Sequence, residues 1–301
     1  MFVNTVSVVT PMEFDSNIDY IGLLNLFRFN LVHNNTHFLV NATTGESLSL
    51  GVLEKIFIIR FLRFYFGSNI ILYSGSCFCS TSDCVRFLSI LNIECIDFVL
   101  QITPYYFIPS DEGILLHFTV LSLLSIHPII VYNVPKRTAL ELSSNCLAAV
   151  LQLRNVFGLK DSSGSYLLSF ERINLCYLYN KKFFCGDDTQ FLRLGKCEVF
   201  GLVSVFSSCF PFEFCRIFTD VYLEYFYFFK SLVFVFTKVV NPMLIKYFLS
   251  MFLYAGCYYR LPLLFLDGVR YSNSVTCVCF YRDALFLYRQ IECCYFFNEF
   301  N

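Results

Sequence analysis

The sequence has no tryptophan, little charge and no uninterrupted apolar run of transmembrane length. Charged residues make up 15% of the 301 positions and hydrophobic residues 56%, including 38 phenylalanines and 20 tyrosines. The longest stretch without Asp, Glu, Lys or Arg runs from Gly113 to Pro135, and Pro128 divides it. A membrane-spanning helix needs roughly 20 consecutive apolar residues. The composition first suggests a membrane protein. The interrupted apolar stretches instead predict buried helices and strands that are rich in phenylalanine.

A surplus of charge of either sign is also missing. The formal net charge is −1 and no run of like charge occurs, so no basic surface for nucleic acid is expected. The 15 cysteines form no C-x-x-C pair, and their odd number indicates neither a disulfide framework nor a zinc site. The opening residues MFVNTVSVVTP lack the features of a signal peptide. We therefore expect a cytoplasmic protein with reduced cysteines, no bound metal and no membrane or nucleic-acid partner.

Short apolar segments alternate with longer amphipathic ones along most of the chain. The helical segments are predicted at 17–34, 51–66, 81–93, 112–126, 139–151, 165–180 and 188–195. The strands are predicted at 3–9, 37–41, 69–73, 96–103, 128–134, 155–160, 181–186 and 199–206. Such alternation is typical of a parallel sheet covered by helices.

Eight strand–helix units of this size predict an α/β protein with a closed (β/α)8 TIM barrel. An open doubly wound sheet is the alternative, and it would favour a glycine-rich turn after the first strand. The turn found there is Thr10-Pro11-Met12, which argues against that alternative. We expect residues 1–206 to form the barrel and residues 207–301 to form a C-terminal helical region packed on it.

Polar residues collect where the predicted strands end, and this edge carries the active site in barrels of this type. Lys160 is the last residue of an apolar predicted strand and is the most informative of them. A neutral lysine amine in such a place can attack a ketone and form an imine. A surface lysine just beyond the strand fits the spacing equally well. The residues taken alone leave these two interpretations open.

A series of five motifs goes further than any single residue. In order and spacing, the motifs resemble those of the dihydrodipicolinate synthase family, pyruvate-dependent class I aldolases. The likeness has no gap between Thr43 and Asp188 and continues more loosely in VNPMLIK (240–246) and RLPL (260–263). The motifs are NATTGES, ITPYYFIPS, VYNVPKRT, GLKDSSG and CGDD.

The resemblance implies a role for each matching catalytic residue. Lys160 corresponds to the imine-forming lysine and Tyr132 to the tyrosine that relays protons beside it. Thr43 corresponds to the threonine that links this tyrosine to a second one. Tyr106 corresponds to that second tyrosine, which in the family crosses a dimer interface into the neighbouring site.

The resemblance also implies the substrates and their binding residues. Thr44 corresponds to a binder of the pyruvate carboxylate, largely through its backbone N–H, and Arg137 to the arginine that holds the carboxylate of aspartate 4-semialdehyde. Gly186 and Val203 correspond to backbone contacts near pyruvate. The implied product is 4-hydroxy-tetrahydrodipicolinate, a precursor of lysine on the diaminopimelate route. No metal or organic cofactor is implied, and the implied assembly is a homotetramer built as a dimer of dimers.

The segment after the third strand departs from the family pattern. It reads Gly75-Ser76-Cys77-Phe78-Cys79, where lysine-inhibited members carry an Asn that contacts the regulatory lysine; Val52 and Lys55 replace further contacts. Weak or absent inhibition by lysine is therefore predicted. Two other functions stay open at this point, an N-acetylneuraminate-lyase type of aldolase and a non-catalytic barrel. Arg137 favours the synthase, because its second substrate carries a carboxylate.

Overall fold

A closed barrel of eight parallel strands forms the centre of the molecule. The computed structural model describes residues 2–194, 199–212, 214, 230, 233 and 241–263. The strands follow one another around the barrel in chain order, and β8 pairs with β1 to close it. They are β1 Val3–Ser7, β2 His37–Val40, β3 Ile71–Ser76, β4 Phe98–Ile102, β5 Ile129–Asn133, β6 Val156–Asp161, β7 Lys182–Cys185 and β8 Gly201–Ser204. The predicted TIM barrel is thus confirmed.

The helices surround this barrel, and most begin at a polar residue whose side chain satisfies the first free backbone N–H groups. Asp19 caps α1, and serines 80, 110, 143 and 165 cap α3, α4, α6 and α7. The helices are α1 Tyr20–Val32, α2 Val52–Phe66, α3 Thr81–Leu91, α4 Asp111–Leu124, α5 Pro135–Thr138, α6 Ser144–Leu151, α7 Tyr166–Leu178, α8 Asp188–Leu194 and α9 Met243–Leu253.

Two predicted elements differ from the observed ones for identifiable reasons. The helix expected at 139–151 begins only at Ser144, as α6, because Ala139 adopts a left-handed conformation (φ 56°) that ends α5 and Ser143 supplies the cap of α6. Strand β3 continues to Ser76 instead of ending at residue 73. Gly75 permits this, since a Cβ there would lie 2.3 Å from the carbonyl oxygen of Asn41 on the neighbouring chain segment.

The hydrophobic core has two layers. The larger one lies between the strands and the helices, where Phe27 of α1 stacks on Phe38 of β2 with ring centroids 4.2 Å apart. The smaller one fills the barrel, and its lower part is a connected row of aromatic rings. Successive centroids in this row are 4.8, 4.9, 6.3 and 5.3 Å apart, through Tyr73, Phe98, Phe157, Phe184 and Phe200.

The C-terminal part that is described packs against the first helix. Asn25 of α1 donates to the carbonyl of Leu253 in α9 (3.1 Å), and the Gly256 N–H donates to Asp19 (2.8 Å). The predicted helical extension is therefore present. The boundary proposed at residues 206 and 207 remains a prediction, because most of 207–301 lies outside the described residues. Among the helices that are described, none is both long and apolar enough to cross a membrane.

Candidate active site

Lys160 and Tyr132 lie side by side on adjacent strands inside the barrel. Tyr132 of β5 is the register partner of Lys160 of β6, and the lysine Nζ is 4.1 Å from the centroid of the tyrosine ring. Only 5% of each residue is exposed. The sequence predicts Lys160 as the last residue of its strand, whereas in the structure it is the penultimate residue of β6. The strand therefore fixes its backbone on both sides. The interpretation as a surface lysine is wrong.

Gly186, directly after β7, lies against the lysine side chain. A Cβ on Gly186 would be 2.7 Å from Cε of Lys160 and 2.2 Å from Oγ of Ser162, so only glycine fits without displacing them. Its N–H donates to the carbonyl of Asp161 at 2.8 Å. Val203 of β8 is buried in the same interior cluster as Tyr132. The structure therefore brings Lys160, Tyr132, Gly186 and Val203 to the upper end of one barrel interior.

Thr43 and Thr44 form a tight helical turn after β2. The Thr44 side chain is already engaged, since its Oγ1 accepts from Oγ of Ser7 (3.0 Å) and from Nδ2 of Asn241 (3.2 Å). Amide groups at the start of a helical turn have no partner within the turn. A ligand would thus meet the backbone of this turn more readily than the Thr44 hydroxyl.

A cavity of about 450 Å³ opens beside this turn. Its wall includes Thr43 and Arg137 but neither Lys160 nor Tyr132, which are buried within the barrel. Arg137 lies on α5 and its Nη2 is 3.5 Å from the carbonyl oxygen of Asn241. Asn241 therefore touches both Thr44 and Arg137, a link that only the loose likeness of VNPMLIK could have suggested from the sequence.

Tyr106 does not join this group within the same chain. It is 85% exposed, its ring contacts the ring of Phe107, and its backbone is left-handed (φ 72°). Ile108 is also left-handed (φ 46°) and exposed. Such conformations are costly for side chains of this size. The neighbouring Tyr105 points inward instead and donates to the Cys77 carbonyl at 3.2 Å.

The adjacent acids Asp187 and Asp188 have different environments. Asp187 caps α8, because its Oδ1 accepts from the N–H groups of Thr189 (2.9 Å) and Gln190 (3.3 Å). Asp188 is buried, and burial raises its pKa to about 7, opposed by a hydrogen bond with Ser204. Its Oδ1 has no hydrogen-bond partner among the described residues. Sequence reasoning missed this buried acid.

Glu46 and Lys246 connect the Thr43–Thr44 turn to α9. Lys246 Nζ is 2.6 Å from Glu46 Oε1, and both side chains are essentially excluded from solvent. The backbone N–H of Arg260 donates to the other carboxylate oxygen at 3.3 Å. Glu46 therefore holds the turn through its hydrogen bonds to Lys246 and Arg260.

Lys55 of α2 is a second buried cation near the cavity. Its Nζ lies 4.8 Å from the ring centroid of Phe78 and 5.6 Å from that of Phe87. Burial lowers the pKa of this lysine, and the nearby Cys77 opposes the shift. Within the described ranges, no three His, Cys, Asp or Glu side chains are grouped closely enough to hold a metal ion.

Proteins that are similar to this chain in sequence share one name. The 4-hydroxy-tetrahydrodipicolinate synthase of Karelsulcia muelleri is 31% identical over 268 residues, which cover 86% of this chain and 90% of that protein. The enzyme of the same name from Buchnera aphidicola subsp. Cinara cedri is 34% identical over 196 residues, 63% of this chain and 65% of that protein.

Solved structures share the fold over nearly the whole chain. The dihydrodipicolinate synthase of Thermotoga maritima superposes with a TM-score of 0.87 at 23% identity and covers 94% of this chain and 98% of its own. The enzyme from Acinetobacter baumannii, solved with pyruvate, gives 0.85 at 23% identity, with 93% and 98% covered. The profile of the dihydrodipicolinate synthetase family matches residues 3–267. This chain belongs to the dihydrodipicolinate synthetase family.

Proposed function

We propose that this chain condenses pyruvate with aspartate 4-semialdehyde, through an imine on Lys160, to give 4-hydroxy-tetrahydrodipicolinate for lysine biosynthesis. The family match and the shared name of the curated relatives support this activity, which the motif series predicts. The observation that carries the residue assignment is the buried Lys160 amine, 4.1 Å from the Tyr132 ring centroid at the upper end of the barrel.

Lys160 acts as the nucleophile. Its neutral amine adds to the pyruvate ketone, and loss of water leaves a protonated imine that withdraws electrons from the methyl carbon. Loss of a methyl proton then gives an enamine, whose carbon attacks the aldehyde of the second substrate. The amino group of that substrate adds to the imine carbon, which closes the ring and releases Lys160.

Each of these steps moves a proton, so hydroxyl groups beside the imine carry much of the catalysis. Tyr132 begins this relay, since its ring contacts the Lys160 amine. Thr43 extends the relay from the turn after β2, and Tyr106 of the partner subunit completes it. The exposure and left-handed backbone of Tyr106 support a role outside its own chain.

Different groups at the carboxyl ends of the strands hold the two substrates. The Thr43–Thr44 turn offers backbone N–H groups to the pyruvate carboxylate, and Gly186 and Val203 supply backbone contacts beside Lys160. Arg137 receives the carboxylate of aspartate 4-semialdehyde, because a guanidinium can donate two parallel hydrogen bonds to it. We further propose that the chain works in the cytoplasm as a homotetramer of two tight dimers.

Trapping the imine tests the assignment. The protein is incubated with pyruvate, reduced with borohydride and digested, and peptide mass spectrometry locates the added mass. Lys160→Met keeps the length of the side chain but removes the amine, and we expect it to lose the adduct. Lys182→Met is the matched control, since Lys182 also lies on a barrel strand but contacts the Phe200 ring instead. An adduct on another lysine, or none on folded protein, would overturn the proposal.

Adding aspartate 4-semialdehyde then decides the reaction. We expect the wild-type protein to consume pyruvate and the semialdehyde together. We expect Arg137→Met to lose this joint consumption but to keep adduct formation with pyruvate. Cleavage of sialic acid in its place would assign the chain to the N-acetylneuraminate-lyase type.

A further inference from the structure

A buried polar network lies directly behind the Lys160–Tyr132 pair. Strands β5 and β6 pair Tyr132 with Lys160, and the next residues, Asn133 and Asp161, pair with each other. Successive strand residues point to opposite faces. Tyr132 belongs to the barrel interior, whereas Asp161 bonds to side chains of α7 on the outside. The same two strand ends therefore carry the reactive pair inside and a polar pair outside.

Asp161 is saturated with hydrogen bonds. Its Oδ1 accepts from Nδ2 of Asn133 (2.9 Å) and from Nη1 of Arg172 (2.6 Å). Its Oδ2 accepts from the hydroxyls of Ser163 (2.8 Å) and Ser169 (3.0 Å). The Asp161 side chain is 1% exposed and that of Arg172 is 4% exposed. The Asp161 carboxylate is thus held in one arrangement. Among the buried atoms of the described residues, Oδ1 of Asn133 is left without a hydrogen-bond partner.

Glu141 closes the network into a ring. Its Oε1 accepts from Nδ2 of Asn133 at 3.0 Å and from Nη2 of Arg172. The Arg172 guanidinium on α7 thus binds both Asp161, at the end of β6, and Glu141. These two carboxylates in turn accept from the Asn133 amide at the end of β5. The backbone also joins the two strand ends, because the N–H of Ser162 donates to the carbonyl of Asn133 at 2.8 Å. The side-chain network adds a second connection on the outside of the barrel.

We infer that Asn133, Asp161 and Arg172 are positioning residues, which set the separation of Lys160 from Tyr132 by locking the two strand ends. This inference rests on the proposed imine function of Lys160. The reason is geometric, because a displacement of about 1 Å between reacting groups can reduce a rate roughly 100-fold. None of the three residues reaches the barrel interior, so none acts on substrate itself.

The test compares Asn133→Leu and Asp161→Asn with the wild type. Both replacements keep the number of side-chain heavy atoms. Asn133→Leu removes the amide that bonds to Asp161 and Glu141, and Asp161→Asn removes the charge that pairs with Arg172. We expect kcat and the rate of borohydride-trapped adduct formation to fall about 10-fold to 100-fold at a temperature well below each variant's Tm. The KM for aspartate 4-semialdehyde should change less than about threefold, because Arg137 is untouched.

Gln101→Leu is the matched control. Gln101 is a buried amide on β4, bonded to Ile102 and Cys84 and not to β6. It should lower Tm without this loss of kcat. If Asn133→Leu does not fold, the isosteric Asp161→Asn still decides the question. If the wild type is trapped at Lys160 and the variants keep its kcat and its rate of adduct formation, the positioning role alone is overturned. If the wild type is not trapped, the proposed function is overturned.

Discussion

Asp188 shows how one buried side chain makes stability depend on pH. Burial raises its pKa from the ordinary 3.8 to about 7 in the folded protein, so the folded state holds this proton more tightly than the unfolded chain. The ionised form is the unfavourable one. Its cost is absent below about pH 4, grows as the pH rises and is complete above about pH 7.

We predict that Asp188→Asn stabilises the protein at pH 8 but not at pH 4. The gain is at most about 4 kcal/mol, from roughly 1.4 kcal/mol for each unit of pKa. Urea unfolding at the two pH values measures it. Asp187→Asn is the control, because asparagine caps a helix about as well as aspartate, so the gain seen with Asp188→Asn between pH 4 and 7 should not appear to the same extent. An equal effect of Asp188→Asn at both pH values would contradict the assignment.

Lys55 bears on the regulation that the family resemblance implies. Its ammonium already lies over the rings of Phe78 and Phe87 beside Cys77, so a free lysine would meet a like charge there. We predict weak or absent inhibition by lysine. Initial rates measured over a lysine series, with arginine as the control amino acid, would show half-inhibition below 1 mM if this prediction is wrong.

At the residue scale, the motif series predicted which side chains lie together better than the sequence predicted how buried each one is. Lys160 and Tyr132 were named from the motif series, and the structure places them together. Asp187 and Asp188 look alike in sequence, yet one caps a helix and the other is buried. Asn241 meets Thr44 across 197 positions of chain, and no local pattern predicts a contact of that separation.

At the scale of elements, α9 braces the turn that carries Thr43 and Thr44. The Lys246–Glu46 pair is fully buried, and removing one member leaves an uncompensated charge. We predict that Lys246→Met lowers the free energy of unfolding by about 3–5 kcal/mol. Urea unfolding of this variant beside Glu46→Gln/Lys246→Met provides the check. The double variant should recover part of the loss, and a single-variant loss below about 1 kcal/mol would show that the pair contributes little.

Element order was predictable and element boundaries were less so. All eight strands were found, because apolar segments of strand length between helices are a strong pattern. Strand β3 was cut short in the prediction, since Ser74, Gly75 and Ser76 resemble a turn. Gly75 is instead required within the strand, because the backbone of Asn41, directly after β2, approaches it closely.

At the scale of the whole molecule, the exposed Tyr106–Ile108 loop indicates an assembly larger than one chain. We predict that mixing inactive Lys160→Met with Tyr106→Phe protein, under conditions that exchange subunits, restores activity. A mixed dimer has one site with an intact Lys160 and the partner's intact Tyr106, about one site in four after random exchange. Activity assays before and after exchange measure it. No recovery in confirmed mixed dimers would mean that Tyr106 acts within its own chain.

The row of aromatic rings from Tyr73 to Phe200 gives the barrel a floor. These rings lie across the barrel towards the amino ends of the strands, whereas Lys160 lies near the carboxyl ends. The many phenylalanines of this sequence therefore bear on access as well as on the core, because they leave the carboxyl end of the barrel as the side from which a substrate reaches the buried Lys160.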